Sequence, residues 1–139
     1  MLVNFYNILN QDSIPIDNPD DALTNKKIIF KIELNPKHPV YEGHFPGNPV
    51  VPGVCQVQII RELVSDSLGK EVELFTSDFV KFMNMIVPGK TPQLEVKLEI
   101  KEIGLEQWSV NATIYTEEYQ FIKFRGKFQP MGTEIVNHG

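Results

Sequence analysis

The sequence has few of the residues that build covalent or metal-based cross-links. It contains one cysteine, Cys55, and three histidines among 139 residues. A single cysteine excludes an internal disulfide framework and is typical of a reducing compartment. The histidines, His38, His44 and His138, form no ligand cluster with that cysteine, so no metal site is predicted. Stability must come from a hydrophobic core, which one domain over residues 1–139 is long enough to build.

Long apolar runs and an excess of positive charge are lacking too. No segment approaches the roughly 18 uninterrupted apolar residues that a membrane span needs. The first ten residues are partly apolar, but they have no basic run or small-residue cleavage signal, so no secretory signal is predicted. The formal net charge of −5 argues against a general nucleic-acid-binding protein. We therefore expect a cytoplasmic protein that binds neither membranes nor nucleic acid.

Apolar residues that are present follow two periodicities. Alternation predicts a half-buried strand from Lys27 to Leu34, and further strands are predicted over residues 94–101, 108–114 and 122–128. Helical spacing predicts a largely enclosed helix from Val54 to Leu68, with Pro52 suited to the first turn and Gly69 to the C-terminal cap. Its apolar face comprises Val54, Val57, Ile60, Val64 and Leu68, widened by Ile59 and Leu63.

Two segments are predicted to lack regular structure. Residues 11–25 form a polar loop after a short N-terminal helix, and residues 35–53 hold five prolines and three glycines, which favour a rigid, shaped loop. One enclosed helix followed by long antiparallel strands predicts an α+β domain with a sheet wrapped around the helix. These patterns alone leave the activity open.

The most informative segment is Gly43–Val54, which reads GHFPGNPVVPGV. It resembles the signature loop of the hotdog-fold 3-hydroxyacyl-acyl-carrier-protein dehydratases of dissociated fatty-acid synthesis. A looser resemblance, which includes Lys81-Phe82 and a turn at residues 87–89, extends over residues 26–128. The resemblance implies a hotdog fold and dehydration of 3-hydroxyacyl thioesters to trans-2-enoyl thioesters, without a cofactor. It also implies a homodimer or higher homo-oligomer, in which each site combines the histidine of one subunit with the acid of the other.

The resemblance assigns the general base to His44 and substrate contacts to Phe45, Pro49, Gly53 and Val54. Histidine suits that role because its unperturbed pKa lies near neutrality. Unpaired N–H groups at the helix start could bind the thioester oxygen, where negative charge builds during the reaction. The glycine at this position has no Cβ, which would allow a thioester to approach the backbone closely.

The predicted helix departs from the family's pattern at Gln58. Family members carry an acidic residue there, and an amide cannot deliver a proton to a leaving hydroxyl. Glu62 stands where the family's dehydratases often have glutamine, and positions four apart share a helical face. One interpretation makes Glu62 the acid, acting through a water, while Gln58 orients the substrate. The other is that the site is weakened or repurposed.

The resemblance also names a partner, an acyl carrier protein whose phosphopantetheine arm delivers the substrate. A basic stripe (Lys123, Arg125, Lys127) could meet this acidic protein, although cross-strand pairing with Glu95 and Glu99 is the favoured interpretation. Arg61 and Lys81 are alternative docking residues.

Six apolar residues could line an acyl tunnel or simply pack the core: Phe79, Phe82, Met83, Met85, Phe121 and Phe124. Two other functions remain open beside dehydration. One is a catalytically silent hotdog subunit that binds acyl thioesters or pairs with an active partner, and the other is a hotdog thioesterase. The pathway, whether fatty-acid synthesis or a specialised product such as a polyene, is equally open.

Overall fold

The computed structural model describes residues 2–16, 25–43, 47 and 49–132. Within them the strands form one antiparallel sheet in the order β1-β2-β4-β5-β6-β3. The elements are β1 Tyr6–Ser13, β2 Asn25–Leu34, α1 Val40–Gly43, α2 Gly53–Leu68, β3 Val72–Phe82, β4 Gln93–Gly104, β5 Gln107–Tyr115 and β6 Gln120–Pro130. The predicted α+β class, one long helix with an antiparallel sheet, is confirmed.

The core lies between α2 and the inward face of the central strands. Every second residue of β2, β4 and β5 is buried, as the alternating patterns predicted. Each large apolar side chain taken fully out of water contributes roughly 1.5–3 kcal/mol, so this face stabilises the sheet against the helix. Its fully buried members include Phe30, Ile32, Val96, Leu98, Val110, Ile114, Ile122 and Phe128.

Helix α2 begins at Gly53 and ends at Leu68, one residue earlier at its start than predicted. Gly69 closes it in the left-handed conformation, with φ at 69°, as expected of a glycine cap. The prediction that Val54 belongs to the apolar face was wrong, since its side chain is 79% exposed. That residue lies in the first turn, before the helix meets the sheet. Neither helix of the described part is long and apolar enough to cross a bilayer.

The predicted N-terminal helix was wrong, because this segment forms strand β1. Asparagines at positions 4, 7 and 10 weaken a helix, whereas the outer edge of β2 offers a ladder of backbone hydrogen bonds. The register of that ladder shifts between Ile8 and Asn10. Residues 11–13 of the predicted loop therefore belong to β1, and residues 17–24 lie outside the described residues.

The proline-rich segment contains a short helix, α1, where no regular structure was predicted. His38 caps it: Nδ1 accepts a hydrogen bond from the backbone N–H of Val40 at 3.0 Å. Nε2 must then carry the hydrogen, which it donates to the carbonyl of Val3 at 2.9 Å. The histidine is thus a structural residue that joins α1 to the N-terminal segment.

The expected pairing of the basic stripe with Glu95 and Glu99 was wrong, because β5 lies between β6 and β4. Arg125 instead donates through Nε to the Asn111 side chain at 2.9 Å. Lys127 lies 3.9 Å from Asp78 of β3.

Candidate active site

The first turn of α2 presents two free hydrogen-bond donors. Pro52 occupies the N-cap position and has no side chain that could cap the helix. The N–H groups of Cys55 and Gln56 both donate to the Pro52 carbonyl, at 3.0 and 3.1 Å. Among the described residues, the N–H groups of Gly53 and Val54 have no acceptor, since a helix leaves its first donors unpaired. These are the two donors that the sequence assigned to a thioester oxygen.

The space in front of Gly53 is occupied by the tip of the Phe82 ring. A Cβ at this glycine would lie 2.8 Å from Cζ of Phe82. The ring is 51% exposed, so turning it away displaces mainly solvent. The missing Cβ therefore makes room for an aromatic ring in this structure, and a thioester can take that space only when the ring turns.

A cleft of about 450 Å³ adjoins the start of α2. Its lining is mostly apolar, and Gln56 is its buried polar member. The amide Nε2 of Gln56 donates to the Val51 carbonyl at 3.3 Å, while Oε1 has no partner among the residues that the structure describes. Val51 in turn donates its N–H to the Ile86 carbonyl at 2.9 Å, which ties the end of the proline-rich loop to the segment after β3. The cleft is lined by residues 50–53, Gln56 and residues 82–85.

Other predicted site residues, and Cys55, lie around the start of α2 in the sequence. His44 and Phe45 lie outside the described residues, so their roles stay predictions. Pro49 is half-buried just ahead of the cleft. Cys55 is buried in the core, and burial raises the pKa of its thiol.

Gln58 and Glu62 contact each other one turn apart on α2, as their spacing predicted. Nε2 of Gln58 donates to Oε2 of Glu62 at 2.8 Å. Arg61 donates from Nε to Oε1 of Gln58 at 3.2 Å and from a second nitrogen to the Val72 carbonyl at 2.8 Å. A flipped amide would place N–H against N–H and oxygen against carboxylate, so the two neighbours fix its orientation.

Glu62 also contacts the N-terminal segment, which the sequence did not predict. The backbone N–H of Leu2 donates to Oε2 at 2.7 Å, and the hydroxyl of Tyr6 donates to Oε1 at 3.1 Å. Burial, and then the negative charge of Glu62, raise the pKa of Tyr6 well above its usual value. With Gln58, the carboxylate therefore accepts three hydrogen bonds.

The tunnel candidates separate into two groups. Phe121 and Phe124 are buried and belong to the core, whereas Phe79, Phe82 and Met85 are 49–75% exposed. Two of these three lie on β3, which ends the sheet and has no described strand on its outer side. The sixth candidate, Met83, is half-buried.

The single antiparallel sheet and the long helix packed against it define an α+β domain of the hotdog type. A family model described as "ApeI-like: ApeI dehydratase" matches residues 20–113. The chain belongs to this ApeI-like dehydratase family.

Individual proteins show the same relationship. The chain is 31% identical over 104 residues to the 3-hydroxyacyl-[acyl-carrier-protein] dehydratase FabZ of Syntrophobacter fumaroxidans, a match that covers 69% of each protein. An uncharacterized protein from Erwinia carotovora has a similar structure, with a TM-score of 0.66 and 19% identity over 94% of this chain and 98% of that one. The dehydratase heterocomplex ApeI:P of Xenorhabdus doucetiae gives a TM-score of 0.55 and 17% identity, over 87% of this chain and 99% of that one. At these identities the two structures support the hotdog fold alone.

Proposed function

We propose that the protein dehydrates 3-hydroxyacyl thioesters to trans-2-enoyl thioesters in fatty-acid or related acyl synthesis. The observation that carries the proposal is the uncapped start of α2 beside an apolar cleft. There the N–H groups of Gly53 and Val54 have no acceptor within the part of the chain that the structure describes. Negative charge develops on the thioester oxygen when C2 loses its proton, and such donors stabilise it. Family membership and the dehydratase relatives support the same reaction.

In the proposed reaction His44 takes the proton from C2. The electrons of that C–H bond form the C2–C3 double bond, and the C3–O bond breaks. Gln58 donates a hydrogen bond to the departing hydroxyl, and a water molecule delivers a proton from Glu62 to that hydroxyl, which leaves as water. The proton that His44 took from C2 then passes through solvent to Glu62, so the enoyl thioester and water are the only net products. No cofactor is required for this elimination. A cytoplasmic location is part of the proposal.

The spacing along α2 supports a site shared between two subunits. Glu62 follows Gly53 by nine positions, so the two lie about 13 Å apart along the helix axis. The reacting atoms of one substrate span far less than that distance. A site that combines the free N–H donors with the Gln58–Glu62 pair is therefore proposed to draw these groups from two chains.

The outer edge of β3 is the proposed contact between those chains. Phe75, Phe79, Val80 and Phe82 on this strand are each 36–51% exposed, and an edge strand can pair with a further strand. A homodimer or higher homo-oligomer formed there would cover these side chains. Sedimentation of Phe79→Lys, with Lys101→Glu as the surface control, tests the contact. Only the β3 variant is expected to give monomers.

The proposed carrier of the substrate is acyl carrier protein. Lys81 of β3 and Lys123 of β6 lie directly opposite each other, and neither has an ion-pair partner among the described residues. Like charges in that position repel, and an acidic partner would relieve the repulsion. Lys81→Glu is expected to raise KM for carrier-linked substrate but not for a pantetheine thioester. Lys101→Glu, three strands away, is the control.

The test of the proposed reaction is a turnover assay on short and medium 3-hydroxyacyl carrier-protein substrates. A conjugated enoyl thioester absorbs in the ultraviolet, and a free-thiol assay in parallel detects hydrolysis instead. His44→Ala is expected to lower the rate at least about a hundredfold, the usual contribution of a general base. His138→Ala is the matched control. An inactive wild type, an unchanged rate in His44→Ala or thiol release without enoyl formation would refute the proposal.

A second candidate function follows from Gln58. A subunit that lacks the family's acid at this position could pair with a different hotdog chain that carries one, and ApeI:P is a dehydratase heterocomplex. Gln58→Glu distinguishes the two. A silent subunit with intact geometry should gain activity as a homo-oligomer, whereas a site that already uses Glu62 should not benefit.

A further inference from the structure

We propose that Tyr6 is a positioning residue for Gln58. Its hydroxyl holds Glu62 so that Oε2 receives the Gln58 amide and Oε1 alone is left to carry a proton. The inference rests on the function proposed above, in which Gln58 holds the departing hydroxyl and Glu62 supplies a proton.

The two oxygens of Glu62 have different partners. Oε2 accepts two N–H groups, from Leu2 at 2.7 Å and from Gln58 at 2.8 Å, and neither group can accept a proton in return. Oε1 faces the Tyr6 hydroxyl at 3.1 Å, and a hydroxyl can both donate and accept. A proton on Glu62 is therefore compatible with Oε1 only. The hydrogen bond between Tyr6 and Glu62 is therefore kept whether or not Glu62 is protonated. The hydrogen bond from Gln58 to Oε2 is kept as well.

The backbone places Tyr6 rigidly. Phe5, the preceding residue, is fully buried and meets the His38 ring edge-on at a centroid distance of 5.1 Å. The side-chain amide of Asn35 donates to the Asn4 carbonyl at 2.9 Å, and its backbone N–H donates to Phe5 at the same distance. These contacts join the N-terminal segment to the chain just before α1. Tyr6 therefore links that part of the chain to α2.

The phenol keeps its proton throughout the usual assay range, so it can donate to the ionised Glu62 carboxylate and accept from the protonated form. Burial and the neighbouring negative charge of Glu62 move the pKa of Tyr6 upward, away from neutral pH. Arg61 holds the other side of the Gln58 amide at 3.2 Å. One N–H of this amide is then committed to Glu62, and the other has no partner among the described residues. That free N–H is the group offered to the substrate hydroxyl.

The test compares Tyr6→Phe with Tyr115→Phe. Tyr115 also bonds a glutamate, Glu95, but on the sheet away from α2, so both variants lose the same kind of contact. Turnover is measured as kcat and KM separately. In parallel, the side-chain amide signals of Gln58 are followed by ¹⁵N NMR and identified by their loss in Gln58→Leu.

Tyr6→Phe is expected to lower kcat roughly tenfold with KM within about twofold, as loss of one positioning hydrogen bond predicts. In Tyr6→Phe, the chemical shifts of the two Gln58 side-chain amide protons should move towards the values of exposed glutamines. Tyr115→Phe should change neither kcat nor these signals. Equal rates in both variants with unchanged Gln58 signals would overturn the inference. Should wild type dehydrate no substrate, the proposed function fails, and the amide signals alone decide whether Tyr6 positions Gln58.

Discussion

Gln58→Glu has a consequence for stability that can be estimated from the structure. The substitution replaces Nε2, which lies 2.8 Å from Oε2 of Glu62, by a second carboxylate oxygen. Two unit charges about 4 Å apart repel by roughly 4 kcal/mol at an effective dielectric constant of about 20. Partial exposure of the pair and the guanidinium of Arg61 at 3.2 Å reduce that value. We expect a net loss of roughly 1–3 kcal/mol in the free energy of unfolding when both carboxyls are ionised.

The loss should depend on pH in one direction. Repulsion raises the pKa of the introduced carboxyl in the folded state above its value in the unfolded chain. Below the pKa of this carboxyl in the unfolded chain, near 4.3, the group is protonated in both states and the variant loses no stability. As the pH rises through the higher pKa of the folded state, the group ionises beside Glu62 and stability is lost. The variant should therefore match wild type near pH 4 and fall furthest behind it at pH 8.

Urea unfolding at fixed protein concentration measures the effect. Trp108, the only tryptophan, is 8% exposed on β5, so its fluorescence should report unfolding of the core. The matched control is the exchange Gln58→Glu with Glu62→Gln, which keeps one carboxylate and should recover most of the loss at pH 8. If the difference in unfolding free energy between Gln58→Glu and wild type is the same at pH 4 as at pH 8, the reasoning is refuted.

Two glycines give further predictions. Gly126→Ala places a methyl 2.7 Å from Leu74 inside the sheet, so it should lower the free energy of unfolding by about 1–3 kcal/mol in urea. Gly89→Ala, with no atom within 4 Å, is its control, and equal stability of the two variants would contradict the packing argument. Gly53→Ala pushes the half-exposed Phe82 ring into the cleft, so we expect near-wild-type stability but a KM for acyl substrate raised roughly severalfold. An unchanged KM in Gly53→Ala would show that the substrate does not bind in this cleft.

The central part of the fold was predictable because its pattern is local. Alternation in β2, β4 and β5 reports directly which residues face the core, and Gly69 ends α2 by its own conformational preference. Strand β1 was not predictable, since its state depends on hydrogen bonds to β2 and its own residues do not alternate. The partners of the basic stripe were missed for the same reason: periodicity fixes the face of a strand and leaves its neighbours undetermined.

The candidate site was predictable only where its residues are close in sequence. The motif indicated the donors at Gly53 and Val54, and helical spacing indicated the contact of Gln58 with Glu62. The contact of Tyr6 with that carboxylate joins residues 56 positions apart, and Phe82 reaches Gly53 from another strand. No spacing rule reports such contacts. No sequence signal marked Tyr6, since β1 shows no alternation of buried and exposed residues.

The phenylalanine-rich outer edge of β3 affects how the protein behaves when it is made in quantity. A bare strand with apolar side chains can recruit any extended chain, including misfolded copies of itself. Yield in soluble form should then depend on how quickly this edge finds its proper companion during synthesis. Slower expression at lower temperature, or simultaneous production of a companion chain, should reduce inclusion-body formation more than added solubilising salt.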